Sequence, residues 1–246
     1  MSQRSLRFRP IQTARRLRAG ESGVTLIELL VATMIFGILM ALIVAAFSTF
    51  SQTFTKDRVA TENTNIASLG MNEVTRVIRA STSLERSGDD LAPFVEAKPE
   101  ELTLYAYIDT DSSTPQPVKI RFKVDATTRE LVETRWKAKP LASGSPYWDF
   151  ETASYSTKVI ARKIVVPATG EQFMFTYFQI NSTTLLEEKL TVPTTGLSAA
   201  DLKKVAVVEV WVKVQSDATG RANPVTIINR VGIPNLGISR LGAPAS

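Results

Sequence analysis

The sequence predicts an α+β chain: a long N-terminal α-helix, membrane-spanning in its first half, packed on an antiparallel β-sheet domain. Three observations predict it. The run Leu29 to Phe47 carries no charged residue, and none follows before Lys56. No proline interrupts the chain from Val24 to Ala92, so nothing there removes a helical donor or clashes with the preceding turn. Beyond Pro93, β-branched and aromatic stretches recur, several alternating with period two.

The uncharged run comes first. As a helix it crosses about 30 Å of hydrocarbon, and the sequence contains no second run like it. Past the membrane, Phe50, Phe54, Ile66, Leu69, Val74, Val77 and Ile78 recur at spacings compatible with one apolar helical face. About sixty residues of helix would extend roughly 90 Å, half in lipid and half packed on a domain. Gly37 is its weak point, read equally as close packing in a membrane segment or as a hinge.

Seven strands are expected after the loop at Ser87 to Asp90: Leu102–Ile108, Val118–Val124, Glu130–Lys137, Lys158–Val166, Gln172–Gln179, Val205–Val214 and Val225–Val231. The alternation is cleanest from Lys119 to Val124. Asp125 to Thr128 and Asp217 to Gly220 read as turns. Residues 138–157, with Pro140, Gly144 and Pro146, read as an irregular insertion in a meandering sheet. The segments are thus 1–23, a basic leader; 24–86, the helix, with its transmembrane part at about 24–50; 87–232, the β-rich domain; and 233–246, a tail.

Charge is distributed unevenly. The chain of 246 residues has a formal net charge of +5. Residues 1–23 hold Arg4, Arg7, Arg9, Arg15, Arg16 and Arg18 against Glu21 alone, and the remainder balances 23 basic side chains with 23 acidic ones. The excess is therefore a targeting signal, and no nucleic-acid partner is indicated. Arginines before the apolar run, with only a mixed Lys56-Asp57-Arg58 cluster after it, predict a single-pass protein whose N-terminus lies in the cytoplasm. The competing reading is a generic signal anchor or a secretory signal peptide, and for the latter Val44-Ala45-Ala46 offers a cleavage site before Phe47.

Glu28 separates the two readings. It sits at the mouth of the apolar stretch in Gly23-Val24-Thr25-Leu26-Ile27-Glu28-Leu29-Leu30, where an ionised carboxylate costs several kcal/mol without a counter-charge. Glu21-Ser22-Gly23 followed by Val24-Thr25-Leu26-Ile27-Glu28-Leu29 resembles the processing site of type IV prepilins. The resemblance covers the leader and first helix, about the first quarter of the chain. It implies a pilin-like fold, cleavage between Gly23 and Val24 by prepilin peptidase, methylation of the new amino terminus at Val24, and an assembly role for Glu28, now the fifth mature residue. The pairing is physically intelligible: cleavage creates an α-amino cation, methylation keeps it charged, and Glu28 neutralises it. Between subunits the same pair sets axial register.

The implied partners are other pilin subunits through the helix, the peptidase and an inner-membrane assembly platform. The implied location is the cytoplasmic membrane and then a filament outside it. Two departures from the family pattern stand out: Val24 where phenylalanine is usual, and Ala45 in place of a helix-loosening proline. Met71 to Arg79 loosely resembles the helix of larger minor pilins and J-type secretion pseudopilins; alternatively this is an amphipathic helix with Arg76 and Arg79 solvated.

Little chemistry is expected in the β domain. The chain has no Cys and no His, which removes thiolate metal sites, cysteine nucleophiles and every His-based catalytic arrangement. Asp109-Thr110-Asp111 opens like a calcium loop, but Thr114 replaces the expected glycine and Ile120 the terminal acid, so no metal and no cofactor are expected. Trp136, Tyr147, Trp148 and Phe150 bracket the insertion and read as a cap on the core or as an exposed adhesive surface. Three classes compete. A minor pilin or pseudopilin accounts for the leader, Glu28, the helix and the β domain together. A membrane-anchored enzyme would need a Ser-Lys or paired-carboxylate mechanism that no motif picks out. A secreted binding module would begin at Phe47.

Overall fold

The computed structural model describes residues 23–86, 90–108, 115–167, 173–216 and 223–234. The arginine-rich segment, the loop at 87–89, the calcium-like loop from Asp109 to Thr114, the turn expected at Asp217 to Gly220, and the tail beyond Pro234 lie outside the described residues. The chain divides into two units, residues 1–52 and 53–246.

Helix α1 runs from Leu26 to Arg79, shorter at both ends than the 24–86 expected. In the first unit every described residue is exposed, including Leu26, Ile27, Leu30, Phe36, Leu42 and Phe47. Among the described residues this is the one helix long and apolar enough to cross a membrane. An apolar helix with no protein cover needs lipid or other chains around it.

In the second unit, α1 buries Asn63, Ala67, Gly70, Met71, Val74, Thr75, Val77 and Ile78, a three-and-four spacing that lines one face. The expected stripe was misplaced in part: Leu69 is 68% exposed and Phe54 59%. Close approach rather than side-chain bulk selects the face. A Cβ built on Gly70 would lie 2.8 Å from Cβ of Ala161, so the helix backbone sits directly on a strand that a larger residue would push away. At its end the helix tightens, with the amide of Ser81 donating to the carbonyl of Ile78 at 3.1 Å. Ser81 then bridges to Ala106, and the Thr82 amide donates to Tyr105 at 3.1 Å. The sheet edge captures the chain before the helix can continue.

Among the described residues ten strands follow, all antiparallel, in two sheets. The first has the order β1 (Phe94–Ala97), β2 (Glu101–Ala106), β3 (Val118–Asp125), β4 (Glu130–Pro140) and β5 (Trp148–Phe150), with β6 (Ser156–Arg162) also paired to β4. The second runs β10 (Val225–Gly232), β9 (Val207–Val214), β7 (Phe175–Ile180), β8 (Glu187–Lys189), with the short helix α2 (Ala199–Leu202) before β9. Each of the seven expected strands has a counterpart. The single meander is corrected to two sheets, and the "irregular" insertion holds the end of β4, all of β5 and the start of β6. The expected strand from Lys158 to Val166 stops at Arg162, where Lys163 takes φ 61°, a left-handed conformation that turns the chain out of the extended ladder. Ile164 then bridges to Val214 of β9, joining the sheets.

Val118, Ile120, Phe122 and Val124 point inward along β3, as the alternation predicted. They meet Val74, Val77 and Ile78 of α1, together with Phe175, Tyr177, Val208, Val210 and Val212 of the second sheet, in one core. Tyr177 is wholly buried; its hydroxyl donates to the carbonyl of Lys98 at 2.8 Å, and desolvation raises its phenol well above the ordinary value. The turn at Asp125 forms as expected, its carboxylate accepting from the amides of Thr127 at 2.8 Å and Thr128 at 3.1 Å. Next to it Arg129, at φ 57°, donates from its guanidinium to the carbonyls of Ile164 at 2.9 Å, Lys163 at 3.1 Å and Gln215 at 2.9 Å. One side chain thus clasps the link between the sheets and the end of β9.

Polar groups also tie α1 to the sheets. Asn63 is fully buried, and its side-chain oxygen accepts from the amide of Ser216 at 3.0 Å. Asn229 donates to the hydroxyl of Thr75 at 3.2 Å. Arg76, which one of the two readings left merely solvated, stays half exposed and also holds both oxygens of Glu73, at 2.7 and 3.1 Å. Arg135 of β4 donates to Glu73 at 3.0 Å and to Glu133. Glu133 is 2% exposed, and its other oxygen has no partner.

Burial raises the Glu133 carboxyl above its ordinary range, opposed by Arg135, whereas Glu73 is lowered chiefly by Arg76. A raised carboxyl contributes stability below the ordinary carboxylate range and loses it as pH rises through the raised value; Glu73 acts in the opposite sense and loses its contribution as pH falls. Glu133→Gln is therefore expected to stabilise the fold at about pH 8 by about 1 kcal/mol, a rise in Tm of about 2–4 °C, with the gain shrinking towards about pH 5. Thermal melts at the two pH values check it; a lower Tm at the higher pH would mean that Arg135 requires the charged partner.

Candidate processing and assembly site

The site lies at the start of α1. Thr25 precedes the first helical residue, and its hydroxyl accepts from the amide of Glu28 at 3.3 Å while its carbonyl accepts from Leu29 at 3.1 Å. Thr25 is thus the helix cap, and Thr25-Leu26-Ile27-Glu28 has the spacing of a capping box. The sequence reading passed over this signal. It places Glu28 in the first turn, where unpaired amides carry the positive end of the helix dipole. That field lowers the cost of holding a carboxylate at the edge of an apolar segment.

Gly23 and Val24 precede the cap, lie outside any helix or strand and are exposed, Val24 to 70%. A peptide outside regular structure and uncovered is accessible to a protease. A Cβ on Gly23 would meet nothing within 4 Å, so the chain's own packing does not require glycine there. The same calculation at Gly37 finds open space, so no contact within the chain requires that glycine either. Because Val24 and Thr25 stand outside the helix, an amino group created at Val24 would sit on a short extension ahead of the first turn. The sequence reading had placed it within the helix.

The aromatic residues singled out from the sequence are half-buried. Phe150 stacks on Tyr105 with centroids 4.9 Å apart, and Lys119 and Arg121 lie over Trp136 at 4.8 and 5.2 Å. Register places Tyr105, Lys119 and Trp136 side by side across β2, β3 and β4, on the face turned away from the core. Among the described residues no three acidic side chains converge as a metal site would need.

Comparison with known proteins bears on the same N-terminal segment. Residues 18–44 match the prokaryotic N-terminal methylation motif, a stretch that includes Gly23, Val24, the cap and Glu28. No curated protein matches the chain. The chain therefore carries a type IV pilin-like signal, that of a substrate of prepilin peptidase. The motif implies processing and assembly with other pilins, and with the exposed apolar helix it fits membrane anchoring and a surface filament. It is the signature of a structural protein rather than a catalyst.

Proposed function

We propose that this chain is a minor pilin or pseudopilin, a structural subunit of a type IV pilus or type II secretion-like filament. In this reading residues 1–23 are a leader that places the N-terminus in the cytoplasm. Prepilin peptidase cuts between Gly23 and Val24 and methylates Val24. The helix, in the membrane over about 24–50, polymerises with other subunits on the assembly platform, leaving the β-rich domain of residues 87–232 outside. Glu28 neutralises the methylated amino terminus, of its own or a neighbouring subunit, and so sets register.

The observation that carries this reading is an acidic side chain in the capped first turn of a helix whose first half is apolar and uncovered, five residues after an exposed glycine whose Cβ would meet nothing. The size and irregular loops of the β domain favour a subunit present in few copies. Intact-mass analysis of the exported polypeptide tests the reading. The expected product begins at a monomethylated Val24. A chain retaining its arginines, or one beginning at Phe47, would overturn it.

A further inference from the structure

The outward face of β3 carries Lys119, Arg121 and Lys123 at every second position, about 7 Å apart along the strand. Across β2 and β4 the register sets them in three rows: Tyr105, Lys119 and Trp136; Thr103, Arg121 and Thr134; Glu101, Lys123 and Val132. Glu101 is the one acid in these rows.

That acid does not neutralise them. Its carboxylate lies 3.7 Å from Arg121, 3.7 Å from Lys123 and 3.8 Å from Lys98, beyond hydrogen-bond range in each case, while Lys98 holds Glu96 as well. Asp149, the acid that acts on Lys119, is paired with Lys139 at 3.6 Å. The ladder therefore keeps an excess of positive charge.

Its donors are open too. Among the described residues no acceptor takes a hydrogen bond from the side chains of Lys119, Arg121 or Lys123, and Nε of Arg121 is buried without a partner. Lys119 and Arg121 instead lean on one ring, their charged ends 4.8 and 5.2 Å from the centroid of Trp136. Burial lowers the Lys119 ammonium below its ordinary value; Asp149 opposes the fall and Arg121 adds to it. Two like charges gathered over one indole with their donors unspent suit an oxyanion that the chain itself does not supply.

The spacing bears on what carries that oxyanion. A lone anion would need one pair of donors, whereas a ladder of three matches negative groups repeated along an extended polymer. Single-stranded nucleic acid binds through free aromatic faces on which its bases stack. Here the Tyr105 ring is stacked on Phe150, and Trp136 is covered by the two cations. A chain of acidic sugars has no bases to stack and needs only the charges.

We propose that the outward face of β3 binds an acidic polysaccharide, its carboxylates or sulfates meeting Lys119, Arg121 and Lys123 in turn. The contact uses the globular unit alone and does not depend on leader cleavage.

Polygalacturonate is the probe, beside neutral dextran of the same length and a single-stranded DNA oligomer of the same charge. The full-length chain in detergent micelles should bind polygalacturonate saturably and dextran not at all, with affinity falling as salt rises from about 0.05 to about 0.5 M. Lys119→Gln with Lys123→Gln should weaken binding at least about tenfold. Lys158→Gln with Lys203→Gln removes the same charge from exposed positions elsewhere and should leave binding unchanged. Lys123 is 55% exposed, so if Lys119→Gln lowers Tm, Lys123→Gln alone still decides the matter, with an expected loss of about threefold. Equal binding of dextran, equal weakening by the control pair, or tighter binding of the DNA oligomer than of polygalacturonate would overturn the proposal, the last by giving the face to nucleic acid.

Discussion

Glu28→Val is expected to leave the leader cut and the chain inserted in the membrane, and to eliminate its recovery in filaments. The substitution lengthens an apolar run that is already long enough to span, so insertion does not suffer. On the proposed function, what is lost is the partner of an amino cation at the lipid boundary. An unpaired charge there costs roughly 3 kcal/mol, about two powers of ten in the equilibrium for each subunit contact. Because every addition to a polymer meets the same deficit, few subunits would be incorporated. The measurement is the ratio of cleaved membrane-bound subunit to subunit in sheared filaments, for the variant beside the parent. Filament recovery equal to the parent's would remove Glu28 from the assembly step. Glu28→Asp should recover part of the loss, since the charge is kept and the reach shortened.

The largest effect expected in the globular unit comes from Gly70. Its missing side chain allows α1 to lie on β6, where a Cβ would be 2.8 Å from Cβ of Ala161. Neither backbone can yield without disturbing the core around Met71 and Val74. Gly70→Leu should destabilise the unit by about 3 kcal/mol through overpacking, lowering Tm by about 6–12 °C. A compensating pair makes the cause specific. Gly70→Ala alone should be destabilising despite the helix-propensity gain of about 1 kcal/mol, whereas Gly70→Ala with Ala161→Gly moves the methyl to the helix and should recover most of the loss. Four thermal melts close this cycle; additive single and double effects would show that the two positions do not meet.

The contrast between Glu28 and Gly70 shows which parts of this molecule could be read from its residues. A charge inside an apolar run is conspicuous because its cost is local, and strands such as β3 and β9 announce themselves through alternation. Strands β1, β5 and β8 have only three or four residues each, too few for a period to register. The division into two sheets depends on which strands pair, and Lys163, whose turn ends β6 and allows Ile164 to bridge β9, has no chemical feature that advertises it. The helix face was misread at Leu69 because hydropathy weighs large side chains, whereas contact here is made by Ala67 and Gly70. Asn63 and Thr75 were missed because polar residues in a helix read as solvent-facing until their partners, Ser216 and Asn229, are placed beside them. At the processing site, the Thr25 cap was present as a Thr-x-x-Glu spacing and could have been read from the sequence.

The Arg129 clasp has a consequence for how the globular unit matures. Small domains that fold outside the cytoplasm often rely on covalent cross-links, which must be introduced by an oxidising apparatus and can shuffle. Here a guanidinium that never loses its charge under physiological conditions performs the stapling by gathering carbonyls from segments far apart in sequence. The subunit can thus reach its final form with no electron acceptor and no isomerase for bridges, and a reducing environment would leave it unaffected.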